Sequence, residues 1–144
     1  MNLSPHFTLA EFLVSQEAAR RGIDNTPSPE VVARLTRTAL ALEAVRIRLG
    51  VPIIVSSGYR CPALNAAVKG ARDSAHITGD AVDFIAPKFG GPATVVSALV
   101  DAGIEFDQLI EEHGPSGWVH LSFAAPMRRQ VLRIDSAGTR PWGA

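Results

Sequence analysis

The sequence predicts one small α+β domain. Three observations lead there. A long amphipathic helical stretch lies between Ser28 and Gly50, several β-branched runs stay within strand length, and two of these runs flank a short turn.

In chain order, Thr8-Leu9-Ala10-Glu11 has the spacing of a capping box, with Phe7 placed as a hydrophobic staple. A helix is expected from Leu9 to about Arg20, closed near Gly22. Ser28-Pro29-Glu30 opens the longest helix with a hydroxyl cap, a proline at the first helical position and an early acid. Val32, Leu35, Ala39, Leu42, Val45 and Leu49 follow at three- and four-residue steps and mark its buried face. Gly50 stops it, after Arg46 and Arg48 in its last turn.

Val51 to Ser56 reads as a strand, turning out through Ser57-Gly58-Tyr59-Arg60. Pro62 opens a helix through Val68, ended by Gly70. Residues 71–78 read as irregular, and Asp80 or Ala81 to Ile85 as a strand. Pro92 to Gly103 is helical, with Val95, Val96, Leu99 and Val100 as its apolar stripe. Ile104 to Glu112 and Trp118 to Phe123 form an antiparallel hairpin about the turn His113–Gly117, and Gln130 to Ile134 a last strand. The domain is expected to occupy 1–135, with 136–144 a loose C-terminal tail.

Composition narrows the function. At 144 residues the chain can bury a core unaided, and 14 basic residues balance 14 acidic ones. That balance argues against nucleic acid or an anionic membrane as partner. The single cysteine, Cys61, leaves no internal disulfide and no cysteine-based metal site. No apolar run approaches the ~20 residues that span a bilayer. The N-terminus lacks the basic and apolar regions of a signal peptide, so synthesis as a soluble cytoplasmic protein is expected.

The chemistry concentrates in Ser74-Ala75-His76-Ile77-Thr78-Gly79-Asp80-Ala81-Val82-Asp83-Phe84 and, downstream, in Trp118-Val119-His120-Leu121-Ser122. Strand alternation puts Ala81, Asp83 and Ile85 on one face, and Trp118, His120 and Ser122 on one face of their own strand. Burying a carboxylate between Val82 and Phe84 without a partner is costly. Gly79 permits a bend that returns His76 to Asp83. Two imidazoles and a carboxylate are the minimum that holds a catalytic Zn²⁺ with a fourth position left for water. The spacing alone also fits a local histidine–carboxylate hydrogen bond, and His120 alone fits a core histidine bonded to a carbonyl.

Arg60, at the end of a core strand, suits either a surface ion pair or a guanidinium fork for an anionic substrate group. His6 and Cys61 read more simply as a solvated terminal histidine and a packed small side chain.

Ser56-Ser57-Gly58-Tyr59-Arg60-Cys61-Pro62, Leu64-Asn65, Val68-Lys69-Gly70-Ala71, the His76 motif and Trp118-Val119-His120-Leu121-Ser122 together resemble the zinc D-Ala-D-Ala carboxypeptidases of the M15 peptidase group, subfamily A. That group includes peptidoglycan-cleaving enzymes of bacteria and phages, and the similarity runs from about Phe7 to Phe123. The resemblance implies a Hedgehog/DD-peptidase-like α+β fold, an antiparallel sheet carrying Zn²⁺ with helices packed on it. It implies His76, Asp83 and His120 as the metal ligands and Arg60 at the active site. Its substrate would be a peptidoglycan stem peptide or cross-bridge, cleaved by a carboxypeptidase or an endopeptidase acting as a monomer. A phage holin would be one route from cytoplasm to wall.

One departure stands out. Several members carry their catalytic carboxylate three residues before the last histidine ligand, where this chain has Gly117. The nearby candidates are Glu112, His113 and Glu111. Alternation groups Gln108, Ile110 and Glu112 and sends Asp107 and Glu111 to the other face, which favours Glu112 as general base with His113 as the alternative. Ser74 and Ser122 are candidate hydrogen-bonding neighbours, and Trp118 a pocket wall. A non-catalytic, zinc-stabilised peptidoglycan-binding or phage structural domain is the other reading, and an accessory domain without metal a third.

Overall fold

In a computed structural model of the protein, which describes residues 1–143, the chain folds around a mixed sheet with helices over one face. The elements in chain order are β1 (Asn2–Ser4), β2 (Phe7–Thr8), α1 (Leu9–Leu13), α2 (Gln16–Arg21), α3 (Pro29–Leu49), β3 (Ile54–Ser57), α4 (Pro62–Ala67), β4 (Ala81–Ile85), α5 (Pro92–Asp101), β5 (Gln108–Glu112), β6 (Trp118–Ser122), β7 (Gln130–Asp135) and β8 (Gly138–Pro141). The main sheet runs β3-β4-β6-β5-β7-β8, and β1 and β2 form a separate pair.

Local chemistry sets the helix ends. Thr8 and Glu11 form the full capping box of α1. Ser28 caps α3 by accepting from the Val31 N–H, and Gly50 ends it in the left-handed conformation. The helix expected over residues 9–20 is instead two. Val14 is extended, and Ser15 accepts from the Ala18 N–H to start α2. A serine able to cap a new helix makes the interruption cheap.

Alternation along the strands divides the sheet into a core face and a cleft face. Val82, Phe84, Leu109, Val119 and Leu121 are fully buried on the first, with Leu35, Ala39, Leu42 and Val45 of α3 and Val95, Val96 and Leu99 of α5 in the same core. Fully burying such a side chain contributes about 1.5–3 kcal/mol each, so this face fixes the register of the strands carrying the polar one. Asp83 then stands opposite His120, and His120 opposite Ile110.

Two expectations about the sheet are corrected. It is not purely antiparallel, because β7 pairs parallel with β5. Residues 123–129 carry the chain past the start of β5, where Arg129 N–H bonds the Phe106 carbonyl and Gln130 N–H that of Asp107. Nor is the stretch from 136 a loose tail. Gly138–Pro141 adds an edge strand antiparallel to β7, and Trp142 packs against the core. Ala144 lies outside the described residues. Strand β5 also begins later than expected, at Gln108 and not Ile104.

Candidate metal centre and its cleft

His76 enters from the loop before β4, Asp83 from the middle of β4, and His120 from the middle of β6. The loop is returned to the sheet by Gly79, whose φ of +84° favours glycine. A Cβ there would also lie 3.2 Å from Leu35 Cγ and from the Val31 carbonyl oxygen of α3. Thr38 donates to the Gly79 carbonyl (2.7 Å), and Asp80 Oδ2 accepts from Thr78 Oγ1 (2.6 Å) and Arg34 Nη1 (3.0 Å). The long helix thereby holds the loop that presents His76.

The three side chains converge. Asp83 Oδ1 lies 3.2 Å from His76 Nε2 and 3.0 Å from His120 Nδ1, and one ligand atom from each residue falls within 4.8 Å of the others. All three residues are buried. Burial would push the Asp83 carboxyl up, but the neighbouring imidazoles of His76 and His120 hold it well below the usual carboxylate range.

The second nitrogen of His76 decides what the first can do. His76 Nδ1 sits 2.5 Å from the Gly58 carbonyl oxygen and must be the protonated nitrogen there. Neutral His76 therefore turns its Nε2 lone pair toward Asp83 Oδ1, acceptor against acceptor unless a cation or a second proton lies between. Orientation of a ligand imidazole by a backbone carbonyl is the usual supporting arrangement at metal sites. The donor set fits a divalent metal ion. Gly58 is a contributor that sequence reasoning missed, since any residue type offers a carbonyl.

The three donors sit in a cleft of about 1110 Å³ that also contains Arg60, Ser74, Glu112, His113 and Trp118. The structure thus brings His76, Asp83, His120, Arg60, Glu112 and His113 into one cavity, with Ser74 and Trp118 in its wall, and leaves Glu111 and Ser122 outside it. Arg60 extends from the turn after β3, with Nη2 donating to Ser74 Oγ (3.3 Å) and buried Nε without a partner among the described residues. Burial lowers its pKa from the ordinary value, and the charges of Asp83 and Glu112 oppose that shift. Asn25 fixes the backbone on both sides of it: Nδ2 donates to the Tyr59 carbonyl (3.0 Å) and Oδ1 accepts from the Cys61 N–H (2.8 Å).

Glu112 lies on the cleft face, and its Oε2 accepts from Trp118 Nε1 at 2.6 Å. Glu111 points the other way, where Oε1 accepts from Arg133 Nη2 (3.0 Å) and Trp142 Nε1 (3.2 Å). His113 also lines the cleft, in a left-handed backbone conformation, with its ring centroid 5.4 Å from that of Trp118. Gly117 is excluded from any side-chain role for a steric reason. A Cβ there would stand 1.8 Å from the Glu112 carbonyl oxygen.

The remaining candidates resolve into structural roles. Ser122 is fully buried and its Oγ accepts from the Gln108 N–H (3.0 Å). His6 lies away from the cleft, 2.7 Å from Glu43. Cys61 caps α4, with Sγ accepting from the Leu64 N–H.

This fold and site define a small α+β domain with a His-Asp-His group that could hold a metal ion in an open cleft. The chain matches the family model Peptidase M15 over residues 5–122, and it belongs to that family. Membership makes it a metallopeptidase-type hydrolase. No curated protein matches the chain in sequence. Among the described residues, no helix is long and apolar enough to cross a membrane.

Proposed function

We propose that the protein is a zinc-dependent peptidase that hydrolyses D-Ala-containing peptide bonds of peptidoglycan. The observation that carries this reading is the convergence of His76 Nε2, Asp83 Oδ1 and His120 Nδ1 in a cleft shared with Glu112 and Arg60. Two imidazoles and one carboxylate are a ligand set suited to catalytic zinc. When bound, the ion supplies Lewis acidity, polarising a carbonyl and making water acidic near neutrality.

The chain's own residues supply the rest. Glu112 is the general base: it takes the proton of the attacking water at its free oxygen and returns it to the leaving amine. Trp118 holds the other oxygen and so fixes which one faces the reaction. Arg60 offers its guanidinium to a substrate carboxylate or carbonyl, with Ser74 steadying one nitrogen. Both terminal and internal D-Ala bonds fall within this reading, and phage-borne release through a holin accords with it.

The test joins metal content to turnover. Purified protein should hold about one zinc per chain, lose most of it on His120→Ala, and release a new amine from a defined D-Ala peptide. Equal zinc in the wild type and His120→Ala would remove His120 from the ligand set. Zinc without turnover would favour a binding domain.

A further inference from the structure

The family match stops at residue 122, yet the chain after it returns to the sheet and reaches the cleft. Strands β7 and β8 extend the sheet beyond β5, and Leu132, Ile134 and Thr139 line the same cavity as His120 and Asp83. The register makes this a continuous surface. One row of opposed residues runs Asp83, His120, Ile110, Leu132, and a second runs Trp118, Glu112, Ile134, Thr139. Arg60 and Ser74 lie at the opposite end of this order, beside β3 and β4.

Charge is partitioned across these two strands. Arg133, Asp135 and Arg140 alternate with the cleft residues and pair away from them, Arg133 with Glu111 and Arg140 with Asp135. The half-buried Leu132 and Ile134 and the exposed Thr139 leave the cleft side of this extension uncharged.

We infer that β7 and β8 form a second substrate-binding arm, which takes an uncharged peptide segment on the side of the scissile bond away from Arg60. The substrate then spans the metal centre, from Arg60 at one end to the arm at the other. This deepens the peptidase reading above and rests on it. Leu132 is two strand spacings from His120, about 10 Å. An extended peptide covers that in about three residues. A peptide that ends just past the scissile bond on that side leaves the arm empty.

The experiment uses the full chain loaded with zinc and three peptides: a short one around the D-Ala bond, and the same peptide lengthened by three uncharged residues at either end in turn. Lengthening at one end should raise kcat/KM about tenfold, the lower range for filling an apolar subsite. Leu132→Asp and Thr139→Lys should each abolish that gain and keep the response to lengthening at the other end. Thr139 is exposed, so its substitution tests the arm without risk to the fold. No gain from either extension, or a gain that survives both substitutions, overturns the arm. If the wild type cleaves none of the peptides, the peptidase reading fails, and calorimetric binding of the same three decides the arm separately. Affinity that rises with length and falls in both variants supports it, and affinity independent of length overturns it.

Discussion

Trp118 Nε1 donates to Glu112 Oε2 at 2.6 Å across the opposed pair that closes the β5–β6 hairpin. The bond occupies one carboxylate oxygen and leaves the other for chemistry, on the same sheet face as His120. Glu112→Gln keeps the size of the side chain and removes its capacity to accept a proton. It should lower kcat by about 10²–10⁴-fold, the usual contribution of a positioned acid–base group, with zinc content unchanged. Trp118→Phe should cost less, since it loosens the carboxylate without removing it. A larger loss in His113→Ala than in Glu112→Gln would transfer the role to His113.

Gly117 leaves the hairpin no room for a side chain at that position. Any Cβ at 117 would overlap the Glu112 carbonyl oxygen at 1.8 Å, so the turn must open to admit one. Gly117→Ala should destabilise the protein by about 1–3 kcal/mol, the range for overpacking, and should lower kcat by displacing Glu112. Gly117→Glu should not raise activity, although it places an acid three residues before His120. Thermal melts and kcat/KM on one peptide check both, and a more active Gly117→Glu would show that the turn accommodates the side chain.

Arg60 is fixed from both sides by Asn25 and carries a buried Nε without a partner among the described residues. Its planar fork suits a carboxylate, and lysine cannot reproduce it. If Arg60 reads a free substrate carboxylate, Arg60→Lys should reduce turnover of free-ended peptides by more than about tenfold relative to amidated ones. If it holds a carbonyl, as internal cleavage requires, the two losses should be equal. The ratio of kcat/KM values therefore separates terminal from internal specificity, independently of the length series.

Much of this site was legible because its geometry is strand geometry. Alternation set Asp83 apart from Val82 and Phe84, His120 apart from Val119 and Leu121, and Glu112 apart from Glu111, and the apolar residues between them lock that register. That the strands bring these faces together came from the family resemblance. Gly79 announced its bend because few other residues tolerate its backbone angle. What stayed hidden depends on partners distant in sequence. The Gly58 carbonyl that orients His76 has no signature, and Asn25 reaches Tyr59 and Cys61 across more than thirty positions. The break at Val14 and Ser15 was missed because the helical periodicity continues through it. Strand β8 was missed because its glycine, threonine, arginine and proline offer no apolar alternation, and its place is fixed by pairing with β7 and by Trp142.

Asp107 gives the fold a dependence on pH that rests chiefly on Arg128, with a smaller contribution from the charge of His120. Its carboxylate accepts from Arg128 Nε (2.8 Å), Nη2 (2.9 Å) and backbone N–H (3.0 Å), clamping the connection between β6 and β7 to the start of β5. The Arg128 hydrogen bonds hold the Asp107 carboxyl below its ordinary range, against the opposing effect of burial. A carboxyl depressed in the folded state stabilises fully above its unfolded pKa of about 3.9, and that contribution is lost as pH falls through the folded value. Charge-assisted hydrogen bonds are stronger than neutral ones, and solvent screening at half-exposed Arg128 weakens this pair. Asp107→Asn should therefore melt several degrees below the wild type near neutral pH. The gap should narrow once the pH drops below about 4 and close where the wild-type carboxyl is protonated. Paired melting curves across that range are the measurement. A gap that stays constant with pH would assign the loss to altered packing and not to the Asp107–Arg128 charge pair.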